Sequence, residues 1–351
     1  MINTSFILFL LIVIFGSISK ITDNKKVSDF LYISTGIALI LFCGLKEVGS
    51  DQDSVAYARY FTLDNYSLSQ VAEPTFSYIA EISRWISNKN GLIILFFIYA
   101  TLGVSIKLAA IKKLSPFVWL SLITYFSTFF LLHEFTQIRA GIASGLLLLS
   151  ISFIYKRQLY LFLLTIAVAS LFHYSALAAF PLYFLTTRTL TNTNKVIIGS
   201  AVPLGITFTY FSLDIVNIIP IELVQTKIDV YKEVEKLNQI KLNAYNAVYL
   251  VKYAMLYLFL FFSDKISKKN DLFPIFLNIY AISLFSYLAL SFNAAFAIRI
   301  SELFGIVEIV MIPMLYYVVK PKELAAIAVV ILAGCNLALG LYQTELIAIT
   351  R

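Results

Sequence analysis

Two arginines interrupt otherwise apolar runs. Arg139 stands in Ile138-Arg139-Ala140-Gly141-Ile142 and Arg299 in Ala297-Ile298-Arg299-Ile300. A guanidinium fork matches phosphate oxygens, so two of them on separate helices could hold a pyrophosphate. The alternative for each is a snorkelling interface anchor. Two histidines are present. His173, in Leu171-Phe172-His173-Tyr174-Ser175, is either a proton acceptor near neutral pH or a hydrogen-bonded residue at a helix break. His133 precedes Glu134, and that pair is either part of a binding surface or a helix cap. Gln137 lies close in sequence to Arg139, and Glu302 close to Arg299. Asp51 and Asp53 form a D-x-D pair and Glu73 precedes a proline; each carboxylate is a candidate base or hydroxyl ligand. Short Asp pairs also recur in turns and as helix caps. No His/Cys/Asp array has metal-ligand spacing, so no metal is expected. No phosphate-cradling Gly-rich loop, G-x-S-x-G elbow or HExxH helix occurs, and no cofactor is expected.

The elements that must position these groups follow from composition. The chain has 351 residues, of which 60% are hydrophobic and 13% charged, and its mean hydropathy is +0.85. Soluble proteins are about 45–50% apolar and about 25% charged. A spanning helix needs about 20 mostly apolar residues, so the apolar fraction fills roughly ten to twelve of them. The fold class expected is an all-α, polytopic helical membrane bundle, one integral domain over 1–351. Thirty Phe and 22 Tyr suit aromatic belts at the interfaces. Cys43 and Cys335 fall in apolar runs, which gives neither a disulfide framework nor a zinc cluster.

Twelve apolar segments can be drawn: 2–19, 28–46, 91–106, 116–135, 138–155, 159–173, 175–187, 196–211, 246–263, 272–292, 301–319 and 324–342. The first has neither a basic leader nor a small-residue cleavage site and reads as a span. The sixth and seventh are short and meet at His173, which also suits a re-entrant pair. Alternating the connections puts about 15 Lys/Arg and about 5 Asp/Glu on one side, which marks it as cytoplasmic. The other side carries about 12 basic and about 14 acidic residues. The net charge of +7 is then mostly an orientation signal, and nothing suggests a nucleic-acid partner. Both long connections, 47–90 and 212–245, fall on the outer side. In the first, Asp51–Ser54 can cap a short helix bearing Tyr57 and Tyr60. Pro74–Ile86 places Phe76, Ile79, Ile82 and Ile86 on one face of a second, surface-lying helix. The second connection carries an amphipathic stripe over 220–240.

Ionisable groups near membrane depth are candidate sites by default. Here Asp51, Asp53, Glu73, His133, Glu134, Gln137, Arg139, His173, Arg299 and Glu302 all fall at the outer edge, with Glu308 as a deeper acid. A transporter would favour the midplane, with broken helices and an internal repeat. Clustering at one interface suits an enzyme acting there on a lipid-linked substrate.

These blocks carry a resemblance. Gly49-Ser50-Asp51…Tyr57, Glu73-Pro74…Phe76, Gln137-Ile138-Arg139-Ala140-Gly141-Ile142-Ala143, Phe172-His173-Tyr174-Ser175-Ala176-Leu177 and the late Arg299 together resemble EpsG-like members of the Wzy O-antigen and exopolysaccharide polymerases. Gln52 stands where an aromatic is often found. The resemblance implies a GT-C-class glycosyltransferase at the outer face of the bacterial inner membrane, joining oligosaccharide repeats carried on polyprenyl pyrophosphate. It further implies Arg139 and Arg299 on the pyrophosphate, and His173 as base or phosphate ligand. Asp51, Asp53 and Glu73 are then alternative bases or sugar ligands, and Tyr57 and Tyr60 stacking platforms. Gln137, His133 and Glu302 line the substrate. The bilayer and a chain-length regulator would be its partners. Rival functions are an O-antigen ligase, a flippase for lipid-linked oligosaccharide and a membrane acyltransferase.

Overall fold

A computed structural model describes residues 2–63, 72–186, 190–211 and 242–342. The amphipathic stripe expected over 220–240 lies outside them. Among the described residues every regular element is a helix. Six are long and apolar enough to cross a membrane: α1 (Ile2–Thr22), α2 (Lys25–Gly44), α5 (Gly91–Leu114), α6 (Val118–Tyr125) with its π-helical continuation Phe126–Thr136, α7 (Ile138–Tyr155) and α15 (Lys322–Tyr342). Shorter apolar helices are α8 (Leu159–Phe172), the 3-10 helix Tyr174–Phe184, α10 (Ala247–Phe261) and α12 (Phe273–Ala289). α9 (Asn192–Tyr210) packs along α12. This is an all-α polytopic membrane bundle.

Each expected segment has a helical counterpart, but four differ in form, the fourth by turning π-helical over Phe126–Thr136. The seventh winds as a 3-10 helix around Pro181, which has no N–H to give an α-helical bond. The eleventh is broken. Helix α13 (Ala294–Gly305) stops, a one-turn α14 (Glu308–Met311) follows, and Ile312–Tyr317 tightens to a 3-10 turn at Pro313. The third runs well past residue 106 to Leu114, so Lys107, expected in a connection, sits on a helix and is fully buried.

Burial follows composition. α12 is apolar all round and buried nearly throughout, the mark of a helix at the bundle centre. The π-helical segment is also buried along most of its length. α5 packs against α2, α7 and the outer-connection helix α4 (Pro74–Ile86), whose bounds match the expected amphipathic run. Ahead of it, α3 (Ser54–Thr62) starts after a turn in which Gly49 takes φ +89°, a conformation open mainly to glycine. Asp51 caps α3: its Oδ1 accepts from the Asp53 and Ser54 amides, each at 2.9 Å, while Asp53 makes no side-chain cap bond.

Candidate functional site

Glu73 ends the extended approach to α4 and is nearly fully buried. Its Oε1 accepts a hydrogen bond from His173 Nδ1 at 2.9 Å, and its Oε2 is ion-paired with Arg139. Three separated blocks of sequence thus meet on one carboxylate. Their elements are tied independently: Thr75, at the start of α4, donates to the Leu171 carbonyl at the end of α8, at 2.8 Å. Phe76 lies against Tyr57 and Tyr99, and Tyr99 meets Phe172 edge-on. The Arg139 guanidinium covers the Tyr57 ring at 5.6 Å and the Phe76 ring at 5.9 Å. Burial alone would raise the Glu73 carboxyl. The His173 hydrogen bond and the Arg139 charge outweigh it and hold the group down at about 2.

With Nδ1 of His173 committed to Glu73, the imidazole's other nitrogen is left for the crevice that the ring lines. This narrow crevice, about 10 Å³ and so with room for about one water, is lined by His133, Gln137, Ser144, His173, Arg299 and Glu302 among others. Arg299 and Glu302 come from α13, which is capped by Asn293: the Asn293 side chain accepts from the Phe296 amide at 2.9 Å. Glu302 is within hydrogen-bonding reach of Gln137, the residue at the turn into α7. Asp53 lies close enough to feel both Arg299 and Arg139, but burial and the neighbouring Asp51 prevail and raise its carboxyl.

His133 enters the crevice from the π-helical segment, whose extra residue per turn is a recurrent device at functional sites. Its Nδ1 meets Ser144 Oγ at 3.0 Å, and Ser144 donates to the Gly141 carbonyl at 3.0 Å. The same carbonyl accepts from Lys107 Nζ at 2.6 Å, and Lys107 is ion-paired with Glu134. Glu134 was expected at the outer edge, either on a binding surface or as a helix cap. It is instead buried against two glycines. A Cβ on Gly103 would come within 3.2 Å of its Oε1, and one on Gly141 within 2.9 Å of the His133 carbonyl. Gly103 lies about 18 Å along α5 from Gly91, so this corner is sunk well below the end of that helix.

The chain brings most of the sequence-derived residues together and separates one. Arg139, Glu73 and His173 form one linked group. His133, Gln137, His173, Arg299 and Glu302 share the crevice. Asp51 is held apart as the buried counter-ion of Lys46, at 2.9 Å, with both side chains fully enclosed. Lys46 also donates to the Phe135 carbonyl and lies 4.5 Å from the centre of the Phe96 ring. Sequence reasoning missed Lys46, Lys107 and Lys252, all partners of buried acids; Lys252 pairs with Glu308 at 2.8 Å. The available signal was a lone lysine inside or at the edge of an apolar run, as in Val251-Lys252-Tyr253. Among the described residues no group of three His, Cys, Asp or Glu could hold a metal ion.

The EpsG family model matches residues 29–344, nine-tenths of the chain and every residue of this site. The chain belongs to the EpsG family. It is also similar to the amylovoran biosynthesis protein AmsC of Erwinia amylovora, 24% identical over 196 residues, 52% of this chain and 51% of AmsC. The chain thus spans about half the length of the curated relative it matches. No solved structure matches it. In this EpsG-family chain the site pairs an imidazole, oriented by a carboxylate, with a guanidinium across a narrow crevice. Such a pair suits removal of a hydroxyl proton beside a developing anion.

Proposed function

We propose that this EpsG-family chain is a polysaccharide polymerase of the inner membrane. It joins oligosaccharide repeats carried on polyprenyl pyrophosphate, with its crevice open to the outer face. Family membership and likeness to an amylovoran biosynthesis protein support a role in polysaccharide biosynthesis. The lysine-rich connections support the orientation. The observation that carries the chemistry is the Glu73–His173 hydrogen bond at 2.9 Å, on a ring lining the same crevice as Arg299.

In this reading a hydroxyl of the acceptor glycan attacks the anomeric carbon of the donor. The bond from that carbon to the pyrophosphate oxygen breaks, and its electron pair leaves on the phosphate. The hydroxyl proton passes to the free nitrogen of His173. Arg299 binds the leaving pyrophosphate, and Gln137 and Glu302 hold sugar hydroxyls. Arg139 takes a different part from the one its sequence suggests. Its charge is opposed by Glu73 and its plane is covered by Tyr57 and Phe76, so it fixes the carboxylate that orients His173. Asp51, enclosed with Lys46, shapes the first outer connection.

The test is to express His173→Ala and Arg299→Ala in a polymerase-null strain and size the polysaccharide. Single repeats at wild-type protein level are expected. Long chains from either variant sink the role of that residue. Complete loss of even single-repeat product would favour the ligase reading instead.

A further inference from the structure

A second cavity shares no residue with the crevice. It is a cleft of about 360 Å³ between α1, α6, the 312–317 turn and α15. Val13, Val118, Ile123, Ala326 and Val330 make it apolar, and Trp119 forms one wall. Gly16 lines the cleft where α1 comes closest to that wall: a Cβ there would stand 3.3 Å from Trp119 Cβ. The cationic groups gather at one end. Lys20, in the last turn of α1, lines the cleft. Lys322, at the start of α15, lies 5.6 Å from the centre of the Tyr316 ring, which also lines it. From Val13 to Lys20, α1 rises about 10 Å, room for the upper part of an acyl chain.

Among the described residues no carboxylate is paired with either lysine. By contrast, Lys112 pairs with Asp29 and Lys195 with Asp264, each at 2.7 Å. The cleft lining contains no carboxylate. An apolar slot with cations at one end complements a molecule with an apolar tail and an anionic head. We infer that this cleft is a binding site for an anionic glycerophospholipid, one acyl chain lying along α1 and the phosphate between Lys20 and Lys322.

The test uses the full chain, purified in detergent and stripped of lipid. It is offered dioleoyl phosphatidylglycerol or dioleoyl phosphatidylcholine, and retained lipid is counted by native mass spectrometry. With two lysines near the phosphate, the wild type should prefer the anionic lipid by about tenfold or more. Both lysines are exposed, so Lys20→Gln/Lys322→Gln should fold normally; its preference should drop to about twofold or less, and Lys20→Arg/Lys322→Arg should restore it. Gly16→Leu, which fills the slot against Trp119, should lose retention of both lipids. A wild type indifferent to headgroup, a glutamine double variant that keeps the preference, or a Gly16→Leu protein that retains lipid normally would each overturn the inference. None of these results depends on the polymerase reading.

Discussion

Replacing Glu73 by glutamine removes one charge at nearly constant volume, and the structure sets the consequence. Both carboxylate oxygens are committed, one to His173 Nδ1 and one to Arg139. A glutamine can offer one acceptor oxygen, but its amide N–H₂ then faces a donor on the other side. The Arg139 side chain, only 17% exposed, also loses its counter-charge. The carboxyl is held at about 2 against an ordinary 4.5, a difference of about 3 kcal/mol in favour of the ionised native state. Because the folded-state value is depressed, that stabilisation is fully present above about pH 4.5. It is lost as pH falls toward 2. Glu73→Gln should therefore be about 3 kcal/mol less stable than wild type at pH 7, and the gap should close steadily below pH 4.5. Denaturant titration of the purified protein from pH 7 to pH 3, followed by tryptophan fluorescence, measures the gap. Polymer output should fall by about 10²-fold or more, as when an orienting partner is removed from a catalytic imidazole. A variant as stable as wild type at pH 7, or a gap that does not change with pH, would refute the electrostatic reasoning. Full polymer length would refute the orienting role.

Three further outcomes follow from the same geometry. Arg299→Lys keeps the charge but loses the bidentate fork, and should retain measurable polymer while Arg299→Ala loses about 10²-fold, read from chain length at matched protein level. Gly141→Ala drives a Cβ to 2.9 Å from the His133 carbonyl, a backbone atom that cannot swing aside. It should cost about 1–3 kcal/mol in the same titration and reduce polymer by displacing His133. Lys107→Met leaves Glu134 buried without its cation and should cost about 3–5 kcal/mol. The double variant Lys107→Met/Glu134→Gln should recover much of that loss, and if it is no more stable than the single variant, the unpaired charge is not the cause.

The fold was legible where a single period or composition decides it. Pro74–Ile86 was recoverable to the residue, because proline at the first helical position and one apolar face both mark it. The apolar helices follow from run length, but of the roughly ten to twelve spans expected only six helices among the described residues are long and apolar enough to cross a membrane. The breaks within the eleventh segment did not follow, since an apolar run containing Glu308 and Pro313 reads equally as one kinked helix. The depth of Lys107 was hidden for a related reason. A lysine near the end of an apolar run is usually a solvated terminus, and only the position of Glu134 across two glycines shows that it is enclosed.

For the candidate site, residue types were legible and pairings were not. Arg139 and Arg299 stand out equally in sequence, as charges that break an orientation pattern. Their surroundings divide them. Arg139 has a carboxylate partner and two aromatic faces, so its charge is already opposed by the one acid that also holds His173. Arg299 lines the crevice with both histidines. An anion entering beside Arg299 would not meet the Glu73–Arg139 pair, whereas one at Arg139 would compete with Glu73 for the guanidinium. A base oriented by Glu73 and a leaving group bound by Arg139 would draw on the same ion pair, which is the ground for proposing different parts for the two arginines.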